Sequence, residues 1–266
     1  MDFEALVNWR EVGEGTFLGS FPERWYQGRG AFGGVVAATM IRGLDKVVDD
    51  ESKRLRSMQV QFCGPLVEAD ARMEVRIQRR GSSVINASVR IMQAGEVKTT
   101  ALALYGGMRN SSVDFEDVEM PEVPAPEAVE PAPKSPLFPR FASHYEFRFC
   151  HGQIPYTGAG EATGGGWCRP IDDDRPADQA RAAALLDAWA PAVLARASTP
   201  TPAATISWNL HFYRPLPLEG ATAEDFYLIA CESGIATDGY ADERTQLWSE
   251  DGQLIAEGHQ LVAVFG

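Results

Sequence analysis

Apolar positions fall along this chain in two patterns. In GGVVAATMIRGLDKVV, Gly33 to Val48, they crowd one stretch that opens on a glycine turn, which predicts a buried helix. Downstream they alternate with polar ones. RSMQVQFCGPL reads as a strand ended by Gly64-Pro65. ARMEVRIQRRGSSVINASVRIMQAGEVKTTALALYGG reads as three strands with turns at Arg80-Gly81-Ser82 and Ala94-Gly95-Glu96. The first part is therefore expected to be one helix followed by about four antiparallel strands.

The pattern then breaks. VDFEDVEMPEVPAPEAVEPAPKSPLFP is acidic and carries prolines at 121, 124, 126, 131, 133, 136 and 139. Proline removes a backbone donor and fixes φ, so this stretch forms neither helix nor central strand and is expected to be an extended surface linker. After it come a strand HYEFRFC, a glycine-rich loop TGAGEATGGG and an edge-like strand at GWCRP. A helix should follow, opened by DDDRPADQ with Pro176 in its first turn and acids at the positive end of its dipole. It should run on through AALLDAWAPAV, Ala183 to Val193. The strands ATISWNLHFYRPL, DFYLIACES, ADERTQLWSE and QLIAEGHQLVAVFG close the chain.

The second part repeats the first. MQVQFCGPL, from Met58, aligns with WNLHFYRPL, from Trp208, and ALALYG aligns with LVAVFG. A shift of about 150 positions is a whole domain rather than a solenoid unit. The expected organisation is residues 1–108, a linker over 109–140, and residues 141–266.

Composition narrows the classes. The 266 residues carry a net charge of −13, which argues against nucleic acid as a partner while leaving room for a small anionic ligand on a local basic patch. Cys63, Cys150, Cys168 and Cys231 form no CxxC pair and none sits at metal spacing from a histidine, so no metal is expected and the thiols read as reduced and mostly buried. The start, MDFEALVNWREVGEG, lacks a signal-peptide pattern, and no apolar run reaches the ~18 residues of a membrane span. A reducing cytoplasm is the expected compartment.

Asp187 is the residue that does not fit its surroundings. It lies among Leu185, Leu186 and Trp189, where a carboxylate either reaches solvent or has partners and a task. Pro191, four residues on, leaves the Asp187 carbonyl without its helical donor, so the helix should kink or open there. The repeat shift carries Asp187 back to about Ala37, Thr205 to about Leu55 and Gln260 to about Ala103 or one strand position off. Three polar residues in the second copy thus face apolar ones in the first, which points to one working site and one structural one. Asp187 can act as a general base or orient a water, while Thr205 and Gln260 can hold that water by hydrogen bonds. None is a strong nucleophile, so direct hydrolysis is the natural reaction, with an acyl-aspartate route as the alternative. Taken singly, a threonine in a strand and an aspartate beside a proline bend are ordinary structural features.

At these residues the sequence resembles the double-hotdog acyl-CoA thioesterases of the acyl-CoA thioesterase II type. LLDAWAPAV matches the helix that carries the family's Asp, ATISWNLHFYRP the strand that carries its Thr, and SEDGQLIAEGHQ the turn and last strand that carry its Gln. Phe32-Gly33-Gly34 matches the family's FGG at a helix start, and Arg79-Arg80-Gly81-Ser82-Ser83 its hairpin. The resemblance spans nearly the whole chain. It implies an α+β fold, a double hotdog with two repeats of a central helix wrapped by an antiparallel sheet. It further implies that Asp187, Thr205 and Gln260 hold a hydrolytic water in the second unit, that the first unit is catalytically degenerate, that the substrate is an acyl-CoA or related thioester, and that no cofactor is needed.

Gly33 and Gly34 also have a physical reading: a helix N-terminus offers free N–H groups, and glycine lets a ligand approach and an oxyanion be stabilised there, or else lets helix and sheet pack tightly. Arg24, Arg29 and Arg214 are candidates for the phosphates of coenzyme A, though an arginine in such a place is more often a solvated surface residue, and none is assigned to the site. Two other functions fit less well. A hotdog hydratase would use a histidine, and none of His144, His151, His211 and His259 follows Asp187 on its helix. A non-catalytic acyl-thioester binder would not need the polar trio. Exposed strand faces would allow a homo-oligomer.

Overall fold

The computed structural model describes residues 2–265 apart from Lys134, Leu137 and Asp172. Met1 and Gly266 at the limits of the expected units, Lys134 and Leu137 in the expected linker, and Asp172 in the acidic run lie outside the described residues.

The first unit contains α1 (Phe3–Val7), β1 (Arg10–Gly13), β2 (Thr16–Gly19), β3 (Tyr26–Gln27), β4 (Gly30–Ala31), α2 (Gly33–Val48), β5 (Arg54–Phe62), β6 (Ala71–Arg80), β7 (Val84–Gln93) and β8 (Glu96–Gly106). The second contains β9 (Tyr145–Gly152), β10 (Thr163–Pro170), α3 (Gln179–Leu186), β11 (Ala203–Phe212), β12 (Tyr227–Glu232), β13 (Ala236–Thr237), β14 (Tyr240–Ser249) and β15 (Leu254–Val264). The helix at Gly33–Val48 and the four strands after it are those expected from the sequence. The elements before Gly33 had not been anticipated, because they are too short to show a period.

One antiparallel sheet runs through both units in the order β1-β2-β6-β7-β8-β5-β11-β15-β14-β12-β10-β9, with β13 added on β14 and the hairpin β3-β4 apart. The two units join edge to edge through β5 and β11, from Gln61 opposite Ser207 to Ser57 opposite His211. These are the two strands whose sequences repeat. Each closes the open edge of the other's sheet, which removes two unpaired strand edges. α2 packs on β6 and β7, α3 packs on β12, β14 and β15, and the helices pack on each other. Val35, Val36, Ala37, Ala38, Met40, Ile41 and Leu44 are all buried, so α2 is apolar on nearly every side because sheet and helix surround it. Close approach of the helices depends on Gly34, where an added Cβ would lie 2.9 Å from Ala184 Cα.

The proline-rich segment covers the opposite face of the second unit's sheet. Met120, Val123 and Val129 pack against Trp167, Phe226, Leu228, Trp248 and Leu254. Trp167 Nε1 donates to Pro124 O at 2.9 Å, Ala132 N–H donates to Phe147 O at 2.7 Å, and Arg148 reaches Val129 O at 3.1 Å. The segment thus satisfies its carbonyls by side-chain donors instead of a ladder, as its prolines require.

Four local expectations need correction. The strand at GWCRP is not at an edge: β10 begins at Thr163, takes in Gly164, Gly165 and Gly166, and lies between β9 and β12. Glycine is needed because Gly165 and Gly166 have φ of +151° and +153°, and an added Cβ would strike Ile229 O or Arg148 O. The helix expected through Val193 stops at Leu186, with Asp187 as its C-cap at φ −104°, ψ 1°. Pro191 supplies no N–H to prolong it, and a separate 3-10 turn follows at Ala192–Ala195. At the other end Asp178, not Pro176, opens the helix, because its carboxylate accepts the Arg181 N–H at 3.0 Å. The thiols are free, as expected, but only Cys168 and Cys231 are buried, while Cys63 is exposed.

Gly166→Ala should cost ~3 kcal/mol or more, or prevent folding, since neither neighbouring strand can move away from the new methyl. Gly13→Ala, where an added Cβ meets nothing within 4 Å, should stay within about 1 kcal/mol of the parent. Urea unfolding of the two variants checks this; equal effects would contradict it.

Candidate active site

The five residues singled out in the sequence come together where the units meet. Thr205 lies on β11 at a β-bulge between Thr205 and Ser207, which re-aims its side chain. Its hydroxyl donates to Gln260 Oε1 on β15. That fixes the amide, so Gln260 Nε2 donates to Asp187 Oδ1 at 3.1 Å. On the far side, the backbone N–H of Gly34 also stabilises the carboxylate. A Cβ on Gly33 would sit 2.7 Å from Asp187 Oδ2 and 3.3 Å from Phe62 Cζ. The close approach that these glycines permit is therefore used by Asp187 itself, at the positive end of α2.

Asp187 is half-buried, and its carboxyl is enclosed by the C-terminus of α3, the N-terminus of α2 and the strand β15. Burial pushes its pKa up from 3.8 to about 7, against the opposing pull of the Gln260 amide and the Gly34 N–H. Hydrogen bonds to the charged form thus offset only part of the cost of removing it from water. The arrangement gives a carboxyl whose pKa is raised toward neutrality and which is held on two sides.

The first unit shows what the same framework looks like without this chemistry. Trp208 pairs with Gln260 as Met58 pairs with Ala103, so Ala103 is the counterpart of Gln260. β5 carries a bulge between Leu55 and Ser57, matching the one at Thr205. Asp187 stands as far from the start of α3 as Ile41 does from the start of α2, one helical turn beyond the Ala37 reached by the sequence shift. Ile41, Leu55 and Ala103 are all buried and apolar. Gln179 at the start of α3, where α2 has Gly33, fills this second position: its amide donates to Leu55 O at 2.7 Å and accepts from Leu55 N–H at 3.3 Å.

The remaining candidates lie outside this cluster. Arg214 is paired with Glu116 of the proline-rich segment, and Arg24 and Arg29 are exposed. His259, next to Gln260 in sequence, points to the other face and bonds Glu257 at 2.8 Å, while His144 stacks on Trp25 at 3.9 Å between ring centroids. One residue escaped the sequence reading. Glu243 on β14 sits directly opposite Gln260 and is 3% exposed. In ADERTQL it shares the parity of the inward Ala241, Thr245 and Leu247, which is the signal that would have found it. Among the described residues, no helix is long and apolar enough to cross a membrane, and no group of three or more acidic, histidine or cysteine side chains could hold a metal ion.

Two helix-and-sheet units sharing one continuous sheet define a double hotdog. The model of the acyl-CoA thioesterase N-terminal domain matches residues 21–106 and that of the acyl-CoA thioesterase C-terminal domain matches residues 119–264. The chain belongs to the acyl-CoA thioesterase family. Among solved structures, a conserved protein of unknown function with a hot dog fold from Alicyclobacillus acidocaldarius is similar at TM-score 0.90 and 28% identity, over 99% of this chain and 98% of that one. The acyl-CoA thioesterase II TesB2 from Mycobacterium marinum is similar in fold at TM-score 0.78 and 20% identity, over 98% and 97% of the two chains. The tesB protein of Mycobacterium avium subs paratuberculosis gives 0.79 and 18%, over 99% and 98%. No curated protein sequence matches the chain.

A raised pKa has a consequence for stability. The folded protein holds the Asp187 proton more tightly than the unfolded chain, so the contribution is fully present below pH 3.8 and is lost as pH rises to about 7. At ~1.4 kcal/mol per pKa unit the loss is a little over ~4 kcal/mol. Asp187→Asn is therefore expected to gain in stability over the parent as pH rises from about 4 to about 7 in urea unfolding. Parallel pH curves for the two proteins would show a solvated carboxylate instead.

Proposed function

We propose that the protein hydrolyses an acyl-CoA or related acyl thioester to the free acid and the thiol, with Asp187 as general base. The observation that carries this reading is the hydrogen-bonded chain from Thr205 through Gln260 to a carboxylate whose pKa is raised to about 7. A base of that pKa is half in its working form at neutral pH and still has proton affinity to use.

In this reading a water binds beside Asp187 and Gln260 and gives a proton to the Asp187 carboxylate as its oxygen attacks the thioester carbonyl. The carbonyl oxygen becomes an oxyanion, stabilised by the partial positive charge at the start of α2. Collapse of the tetrahedral species breaks the C–S bond, and the proton held by Asp187 passes to the departing thiolate. Gln260 orients the base and the water, and Thr205 keeps the Gln260 amide from turning over. No residue in the cluster is a strong nucleophile, which favours direct attack by water. The first unit lends the start of α2 to this site, and its own equivalent position is filled by Gln179.

Asp187→Asn should preserve the fold and lower turnover of the best acyl-CoA by ~10²–10⁴-fold, since the amide has the shape but cannot take the proton. Thr205→Ala and Gln260→Ala should cost less, and Asp187→Asn with Gln260→Ala should cost less than the product of the two. Thiol release measured over a series of acyl chain lengths reads all four variants. Wild-type turnover by Asp187→Asn would refute the assignment.

A further inference from the structure

Glu243 is a buried carboxylate that the hydrolytic scheme does not use. It lies on the inner face of β14 between Ala241 and Thr245, opposite Gln260 on β15. Both of its oxygens accept the Ala192 N–H, each at 3.0 Å. Ala192 begins the 3-10 turn that follows Asp187, so the segment Asp187–Ala192 is held at both ends by two side chains that face each other across one strand pair. Gln260 holds Asp187 and Glu243 holds Ala192. Between them Trp189 lies over the glycine strip of β10, with Gly166 directly beneath its ring. Helix geometry does not fix this segment, because α3 ends at Leu186 and Pro191 donates no N–H.

We propose that Glu243 is a positioning residue for Asp187: with Gln260 it clamps the segment Asp187–Ala192 and so sets where the carboxylate stands against the N-terminus of α2. This rests on Asp187 being the base. The groups that face Glu243 are Asp187 on the clamped segment, Gln260 on β15, Cys231 on β12, and Asp242 and Thr245 on its own strand, while the turn Ala192–Ala195 brings only apolar side chains. Burial pushes the Glu243 pKa up to about 8, and the charges of Asp242 and Asp187 add to the rise. The Ala192 N–H needs an acceptor at this position whatever its charge. A neutral isostere can then replace it, and a truncation cannot.

The test compares Glu243→Gln, Glu243→Ala and Asp187→Asn, alone and with Glu243→Ala added to Asp187→Asn. Glu243→Gln keeps an acceptor for Ala192 and should hold kcat within about 3-fold of wild type, whereas Glu243→Ala should lose ~10-fold or more in kcat with little change in KM. In the Asp187→Asn background, Glu243→Ala should cost almost nothing further, since its effect passes through Asp187. Carboxyl ¹³C titration supplies a readout that needs no turnover. The Asp187 pKa should stay near 7 in Glu243→Gln and fall toward the ordinary carboxylate value in Glu243→Ala, as water reaches the released segment. If Glu243→Ala does not fold, Glu243→Asp replaces it, drawing the acceptor one methylene away from Ala192. Wild-type kcat and an unmoved Asp187 pKa in the truncated variant would overturn the proposal, as would an undiminished loss on top of Asp187→Asn. Failure of the base assignment looks different: Asp187→Asn itself would then turn over at the wild-type rate.

Discussion

A carboxylate placed where burial opposes its charge is the constraint around which this molecule is arranged. Asp187 stands at the end of α3, against the first turn of α2, with the Gln260 amide on one side and the Gly34 N–H on the other. Each neighbour is explained by that position. Gly33 has no side chain because a Cβ would meet Asp187 Oδ2 at 2.7 Å. Gly34 has none because the two helices must touch at Ala184. Thr205 is thrown out of strict strand register by a bulge so that it can hold the amide that holds the carboxylate. A group raised to about 7 weakens the fold at neutral pH, and a site retained at such a cost is the place to look for chemistry.

The duplication explains why there is one such site in a framework that offers two. Both units have a bulged strand at the shared seam, a helix over it and a last strand paired alike. In the second unit the seam holds Thr205, Gln260 and Asp187. In the first it holds Leu55, Ala103 and Ile41, with the Gln179 amide closing the two backbone groups of Leu55. The apolar copy buries its surface and stabilises; the polar copy bears the unfavourable burial of a carboxylate. Neither half is complete alone, because the start of α2 in the first unit is what faces Asp187 in the second.

Much of this was legible in the sequence. The helix at Gly33–Val48, the strands after it and the repeated QVQFCGPL and NLHFYRPL appear because long elements with one buried face leave a clear period. The trio Asp187, Thr205 and Gln260 stood out as polar residues against apolar counterparts, and the resemblance to thioesterases rested on the same residues. What the sequence hid depended on contacts between distant segments. β10 looked like a loop running into an edge strand because its glycines carry no pattern, although they make room for Trp189 and for neighbouring carbonyls. The end of α3 was masked by apolar residues that continue past Leu186 into a turn. Glu243 went unremarked within the strand ADERTQLWSE, and only the pairing of β14 with β15 places it beside Gln260.

The central claim is that a carboxylate with a pKa of about 7 activates the hydrolytic water, and the pH dependence of kcat/KM for the best acyl-CoA tests it most directly because it reports ionisations of the free enzyme. The account predicts that the wild-type value rises about tenfold per pH unit on the acid side, bends near 7 and levels off, and that Asp187→Asn, at its residual rate, lacks this limb. A wild-type profile that is flat through neutrality, or the same limb persisting in Asp187→Asn, would contradict it.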